Sequence, residues 1–228
     1  EALPGFLAAA LRERHPCGVT WSVAGKNGAT ARKVFREIVP SLNGLNPDII
    51  VITIGVNDLM RRRPLRSWSL DLTALIAAVR GKYANAKVIL AGMPPVHRFP
   101  ALPQPLRSVM GGRARAMDRV MQEVARTYGA LHVPMFPEMA AADPALFASD
   151  GFHPSPAGYR LWAQDLAKAL EAESAPFLVP VIGTTNGTTN GNGHGNGHRA
   201  SYASGVAREY ARTAMAGALA VEVKERST

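Results

Sequence analysis

Asp48-Ile49-Ile50-Val51-Ile52-Thr53-Ile54-Gly55-Val56-Asn57-Asp58 is an almost unbroken apolar, β-branched run that breaks at a glycine. A strand covered on both faces shows no alternation of apolar and polar residues, and strands of parallel sheets read this way. Gly55 permits a sharp exit from such a strand, and Asn57 then presents an uncharged amide beyond its C-terminal end. In open α/β sheets the binding crevice lies outside those ends. Alone, the block is also readable as an Asn-Asp turn that merely leaves the sheet.

The flanking sequence alternates strands with helices. Val19 to Ala24 reads as a strand, as do Val88 to Ala91, which ends in Gly92-Met93-Pro94-Pro95, and Leu131 to Val133, which ends in Pro134. Helices are predicted over Ala2 to Arg14, Ser67 to Tyr83, Leu106 to Tyr128 and Pro156 to Ala172. Leu72, Leu75, Ile76 and Val79 form one apolar stripe, and Met117, Val120, Met121 and Val124 another. Trp162, Leu166 and Leu170 recur every fourth residue, and Pro156 suits a first helical turn. This alternation predicts a parallel sheet with helices on both faces.

Asp150-Gly151-Phe152-His153-Pro154 sets a carboxylate three residues before an imidazole, on a short loop entering a helix. A His that passes protons needs a second group to fix its tautomer and stabilise its charged form. The pair reads as a general base with its orienter. The alternative is an Asx turn, with Asp150 bonding local amides.

Taken together, Gly55-Val56-Asn57-Asp58 resembles the G-x-N-D block of the SGNH hydrolases, also called the GDSL esterase/lipase family, and Asp150-Gly151-Phe152-His153 resembles that family's D-x-x-H block. Gly28-Ala29-Thr30 is similar to the block that carries an oxyanion-hole glycine. The resemblance spans roughly residues 1 to 172, with the blocks in the family's order. It implies a flavodoxin-like three-layer α/β sandwich with a parallel sheet. It also implies a serine esterase acting through an acyl-enzyme, with His153 as base, Asp150 as orienter, and Gly28 and Asn57 as oxyanion donors. No metal or organic cofactor is implied, and the partner is a small-molecule ester. One departure matters: no Gly-Asp-Ser, the block that carries the nucleophile, occurs in the chain. The first strand and its Ser are therefore expected upstream of residue 1, and these 228 residues are expected to be inactive alone. The alternative is a non-catalytic α/β binding module that has lost the nucleophile.

The composition bounds other classes. Residues 1–174 suit one α/β domain, and 47% apolar residues furnish a sizeable core. Cys17 is the only cysteine, so no internal disulfide forms, and it reads as a small buried apolar residue. No run is long or apolar enough to span a membrane. A net charge of +9 raises an anionic-surface or nucleic-acid reading, but Arg is scattered over helices and no aromatic stacking pattern, zinc spacing or helix-turn-helix accompanies it. Arg61-Arg62-Arg63 could meet an acidic substrate or be an exposed helix start.

His97 to Pro105 is too proline-rich for helix or central strand and overhangs the crevice. There Phe99 and Leu102 could line an acyl pocket or simply pack the loop down. His97 reads as a rim residue and His132 as structural. Residues 175–228 change character. Gly183 to Gly197 is low-complexity, with His194 and His198 a weak metal pair at most. Val206 to Val223 has helix-forming composition and is read as a short or frayed helix. Phe177 to Gly183, with Thr184 or Thr185 as nucleophile, is disfavoured as a replacement strand because Pro180 stands in its middle.

Overall fold

A computed structural model describes residues 2–14, 18–136, 143–174 and 217–224. The expectations for Cys17, Phe177 to Gly183, Thr184, Thr185, His194 and His198 lie outside these residues. The elements run α1 (Leu3–Arg14), β1 (Gly18–Gly25), α2 (Ala31–Lys33), β2 (Ile49–Thr53), α3 (Val56–Met60), α4 (Leu65–Lys82), β3 (Lys87–Ala91), α5 (Leu106–Thr127), β4 (Leu131–Val133), α6 (Pro156–Ser174) and β5 (Gly217–Lys224). A single 3-10 turn, Val96–Arg98, opens the proline-rich loop that was read as free of helix.

The expected α/β architecture is present, with β2, β3 and β4 paired in parallel. Each strand feeds both faces of the sheet, as its period of two dictates. Ile50 and Ile52 of β2 join Val88 and Leu90 of β3 in one core, under α2, α4 and α5. Ile49 and Val51 join Ile89 and Ala91 in a second core, under α1 and α6. Two cores separated by one sheet make the three-layer sandwich. The helical stripes fall where the spacing put them. Trp68, Leu72, Leu75, Ile76 and Val79 of α4 are buried, as are Trp162, Leu166 and Leu170 of α6.

The sheet order is β1-β5-β2-β3-β4. β5 is antiparallel to both neighbours, so β1 and β2 run in the same direction on either side of it. Leu219 is opposite Val23 and Val51, and Gly217 is opposite Gly25 and Thr53. Helix-forming composition over 206–223 had suggested a helix, but over Gly217–Lys224 the chain is a strand. The physical reason is tertiary. Without a strand between them, β1 and β2 would each present an unpaired row of N–H and C=O groups. Satisfying both rows outweighs the sub-kilocalorie preferences that favour helix.

Leu219→Pro deletes an amide donor from a strand paired on both sides. It should lower stability by about 1–3 kcal/mol, the cost of stranding a buried partner. Native-state hydrogen exchange should show Gly217–Lys224 amides protected in the wild type and exposed in the variant. Unprotected wild-type amides there would contradict the pairing.

Candidate active site

The crevice edge is where β2 and β3 end. Gly55 follows β2 with φ of 115°, a backbone conformation that L side chains rarely adopt, and starts α3. Space forbids a side chain as well, since a Cβ there would run into Met93 Sδ. The glycine therefore lets the chain leave the sheet under the β3 exit and turn Asn57 outward at once.

Asn57 and Asp58 bind the loop after β1. The Asn57 Nδ2 donates to the Ala29 carbonyl at 3.0 Å, and the Ala31 amide donates to Asp58 Oδ2 at 3.1 Å. Ala29 closes the turn by donating to the Lys26 carbonyl. Gly28, at φ of 70°, sits at the apex of this turn. Its own N–H has no partner among the described residues. Asn57 uses one amide hydrogen on Ala29 and keeps a second. The two expected oxyanion donors are thus brought together by direct bonds between their segments.

Asp58 is fully buried, and its Oδ1 has no partner among the described residues. Burial pushes its carboxyl up most strongly, the Ala31 amide draws it back, the Asp71 charge raises it and Arg63 lowers it, leaving it at about 6. Asp71, itself buried, is held by Arg63 at 2.6 Å and Arg32 at 3.1 Å. The sequence reading gave Asp58 no role of its own. Its signal was position: a carboxylate inside a short helical turn between the apolar Val56 and Leu59.

The other candidate block is the loop before α6. Asp150 divides its oxygens between two tasks. Oδ1 accepts the Phe152 and His153 amides, both at 2.9 Å, and Oδ2 meets His153 Nδ1 at 2.5 Å. The Asx turn and the Asp–His pair, alternatives in the sequence, are both present. A little burial opposes ionisation, but His153 and the two amides outweigh it and hold the Asp150 carboxyl at about 2. Asp150 is therefore a carboxylate throughout the neutral range. His153 Nε2 has no partner among the described residues. Ala148 donates to the His153 carbonyl at 2.8 Å, and Ser155 caps the first turn of α6 through Gly158.

Phe99 and Leu102 are buried, Phe99 to 1% exposure, so neither offers open surface to an acyl chain in this structure. Phe99 instead meets Phe152 and Phe147 edge-on, at 5.0 and 5.7 Å between ring centroids. Ala101 donates to the Gly151 carbonyl, so the proline-rich loop braces the Asp150–His153 turn. His97 lines a cleft of about 130 Å³ with Arg115 and Asp118. His132 pairs with Asp118 at 3.0 Å, and Asp118 also accepts the Met93 amide at 2.8 Å, a structural anchor for the β3 exit. Among the described residues no cluster of His, Cys, Asp or Glu could hold a metal ion.

Parallel strands β2, β3 and β4 between two helical layers carry an Asn-bearing turn after β2, and an Asp–His pair precedes α6, the two blocks on which the resemblance rested. The family model described as GDSL-like Lipase/Acylhydrolase matches residues 1–161, and the chain belongs to that family. A GDSL-like esterase from Mycobacterium tuberculosis is 28% identical over 176 residues, 75% of this chain and 55% of that protein. The chain thus spans about half the length of this curated relative. An alpha/beta hydrolase from the metagenome of Lake Arreo, Spain, is similar in fold at 22% identity, with a TM-score of 0.57 over 75% of this chain and 81% of that one. A variant of the acetyl xylan esterase Axe2 from Geobacillus stearothermophilus has the same coverage at 20% identity, with a TM-score of 0.52.

The raised Asp58 carboxyl gives a pH signature. Its unfolded value is 3.8, so between there and about 6 the folded state holds the proton more tightly. The stability from that proton is complete below the unfolded value and is lost as pH rises through the folded one. Asp58→Asn keeps an acceptor for Ala31 but does not titrate. Relative to wild type it should gain on the order of 2–3 kcal/mol at most between pH 4 and pH 7. Urea melts at both pH values measure this, and a pH-independent difference would refute the assignment.

Proposed function

We propose that this chain forms part of a serine esterase that hydrolyses carboxylic esters of small molecules. The observation that carries the reading is Asp150 Oδ2 against His153 Nδ1. A donor hydrogen on Nδ1 toward Asp150 would leave Nε2, which has no partner among the described residues, as the base. The lacing of Asn57 to the Gly28 turn supports the oxyanion assignment. Family membership and the esterase relatives support the reaction class.

In this reading a serine hydroxyl attacks the ester carbonyl carbon, and His153 takes its proton. The Gly28 N–H and the second Asn57 amide hydrogen face the oxyanion. A single such donor contributes about 3–4 kcal/mol of transition-state stabilisation. The carbon–oxygen ester bond then breaks, and His153 returns the proton to the departing alcohol. Water attacks the acyl-enzyme, giving its proton to His153, and the serine regains one as the acid leaves. The nucleophile is assigned to a Gly-Asp-Ser block, which these 228 residues do not contain.

The purified 228-residue chain should therefore not hydrolyse p-nitrophenyl acetate above background. Turnover abolished by a serine-reactive phosphonate would overturn the assignment of the nucleophile. In a longer form carrying a Gly-Asp-Ser strand, His153→Ala should cut kcat by roughly three orders of magnitude or more. Asp150→Asn should cost less. Asn57→Ala should lower kcat about a hundredfold with KM little changed, because its interaction belongs to the transition state. A kcat near wild type in His153→Ala would overturn the assignment of His153 as the base, whereas no turnover in the longer form itself would favour a binding module.

A further inference from the structure

The Arg61-Arg62-Arg63 run does not behave as one unit. Arg63 is consumed internally: its guanidinium pairs with Asp71, and its carbonyl accepts a bond from Arg113. Structural arginines elsewhere are tied down in the same way. Arg80 donates to the carbonyls of Ala86, Tyr128 and Gly129, and Arg107 donates to those of Pro100 and Leu102. Arg61 has no side-chain hydrogen bond or ion pair among the described residues, and it is exposed.

Its position is what distinguishes it from a solvated surface charge. Arg61 caps α3, with its amide on the Asn57 carbonyl at 3.0 Å. Its Nη2 lies 3.8 Å from where a Cβ on Gly28 would stand, and, Gly28 and its two chain neighbours aside, no other described residue comes within 4 Å of that point. The Gly28 turn is thus overhung by one exposed guanidinium that has no protein partner among the described residues. Asp71 is paired with Arg32 and Arg63, not with Arg61.

We propose that Arg61 reads charge on the substrate, and that the favoured esters carry a carboxylate a few bonds from the scissile carbonyl. The inference rests on the ester-site reading above. A carbonyl oxygen held by Gly28 and Asn57 would bring the adjoining part of the molecule within reach of Arg61, whose Nη2 lies over the Gly28 turn. A planar carboxylate matches the guanidinium fork, whose two parallel N–H groups hold it bidentately.

The test uses the 228-residue chain and unreactive amides in place of esters. NMR titration compares mono-N-methylsuccinamate, which carries the carboxylate, with the uncharged N-methylbutanamide. At low salt the charged probe should bind about tenfold or more tightly, and the preference should shrink as salt rises. Both probes should shift the Gly28 amide, the Asn57 side-chain amide and the His153 ring signals. Arg61→Gln should bring the two affinities to within about twofold, whereas Arg62→Gln should keep the preference; a tenfold ratio is 1.4 kcal/mol. Equal affinities in the wild type, with Asn57 and His153 shifted by both probes, would overturn the charge preference and leave the ester site standing. Equal losses in Arg61→Gln and Arg62→Gln would overturn it too, assigning the effect to diffuse charge. Failure of both probes to shift Gly28, Asn57 or His153 would remove the ester-site reading, and the inference with it.

Discussion

The site depends on two bonds between segments far apart in sequence: Asn57 to the Ala29 carbonyl, and the Ala31 amide to Asp58. They join the loop after β1 to the turn after β2, which would otherwise be independent exits from the sheet. Each bond alone contributes about 0.5–1.5 kcal/mol net. Their importance is geometric, because together they set where the Gly28 N–H points relative to the Asn57 amide. Oxyanion donors are effective only when their positions are set before charge develops.

That arrangement has a cost in solvation. A carboxylate with one oxygen unpartnered among the described residues sits in a fully buried position beside a second buried carboxylate. Two arginines offset Asp71, while Asp58 relies on a single amide, and its raised carboxyl is the result. Asp150 shows the opposite balance. Its two oxygens take up two amides and an imidazole at the surface, so ionisation is favoured rather than opposed. The two candidate blocks thus each hold a carboxylate, pushed in opposite directions by burial and by hydrogen bonding.

Much of this was legible from residue order. The Ile49–Thr53 run and the stripes of α4, α5 and α6 appear where periodicity placed them, because burial on two faces or on one leaves a direct record in residue type. The Asp150–His153 contact was legible because both partners lie within one turn. Three things were not. Asp58 depends on burial that only the tertiary fold supplies. Phe99 and Leu102 could be read as pocket or packing, and only coordinates show Phe99 wedged beneath Phe152. The strand at Gly217–Lys224 carried helix-forming residues, and its conformation is dictated by the two strands it joins.

β5 separates two demands that a central strand ordinarily meets together. The first is backbone satisfaction, which any strand in the slot between β1 and β2 can provide, because N–H and C=O rows accept partners of either direction. The second is delivery of a chemical group to the crevice edge, which depends on direction. A strand parallel to β2 would bring its last residue to that edge. β5 runs the other way, so its first residue, Gly217, lies opposite Thr53 there, and Lys224 lies at the far end beside Gly18. A glycine carries no side chain that could attack a carbonyl. The sheet therefore closes its hydrogen bonds with a strand whose residue opposite Thr53 brings no hydroxyl to that edge, so pairing in this slot and delivery of a nucleophile are separable demands.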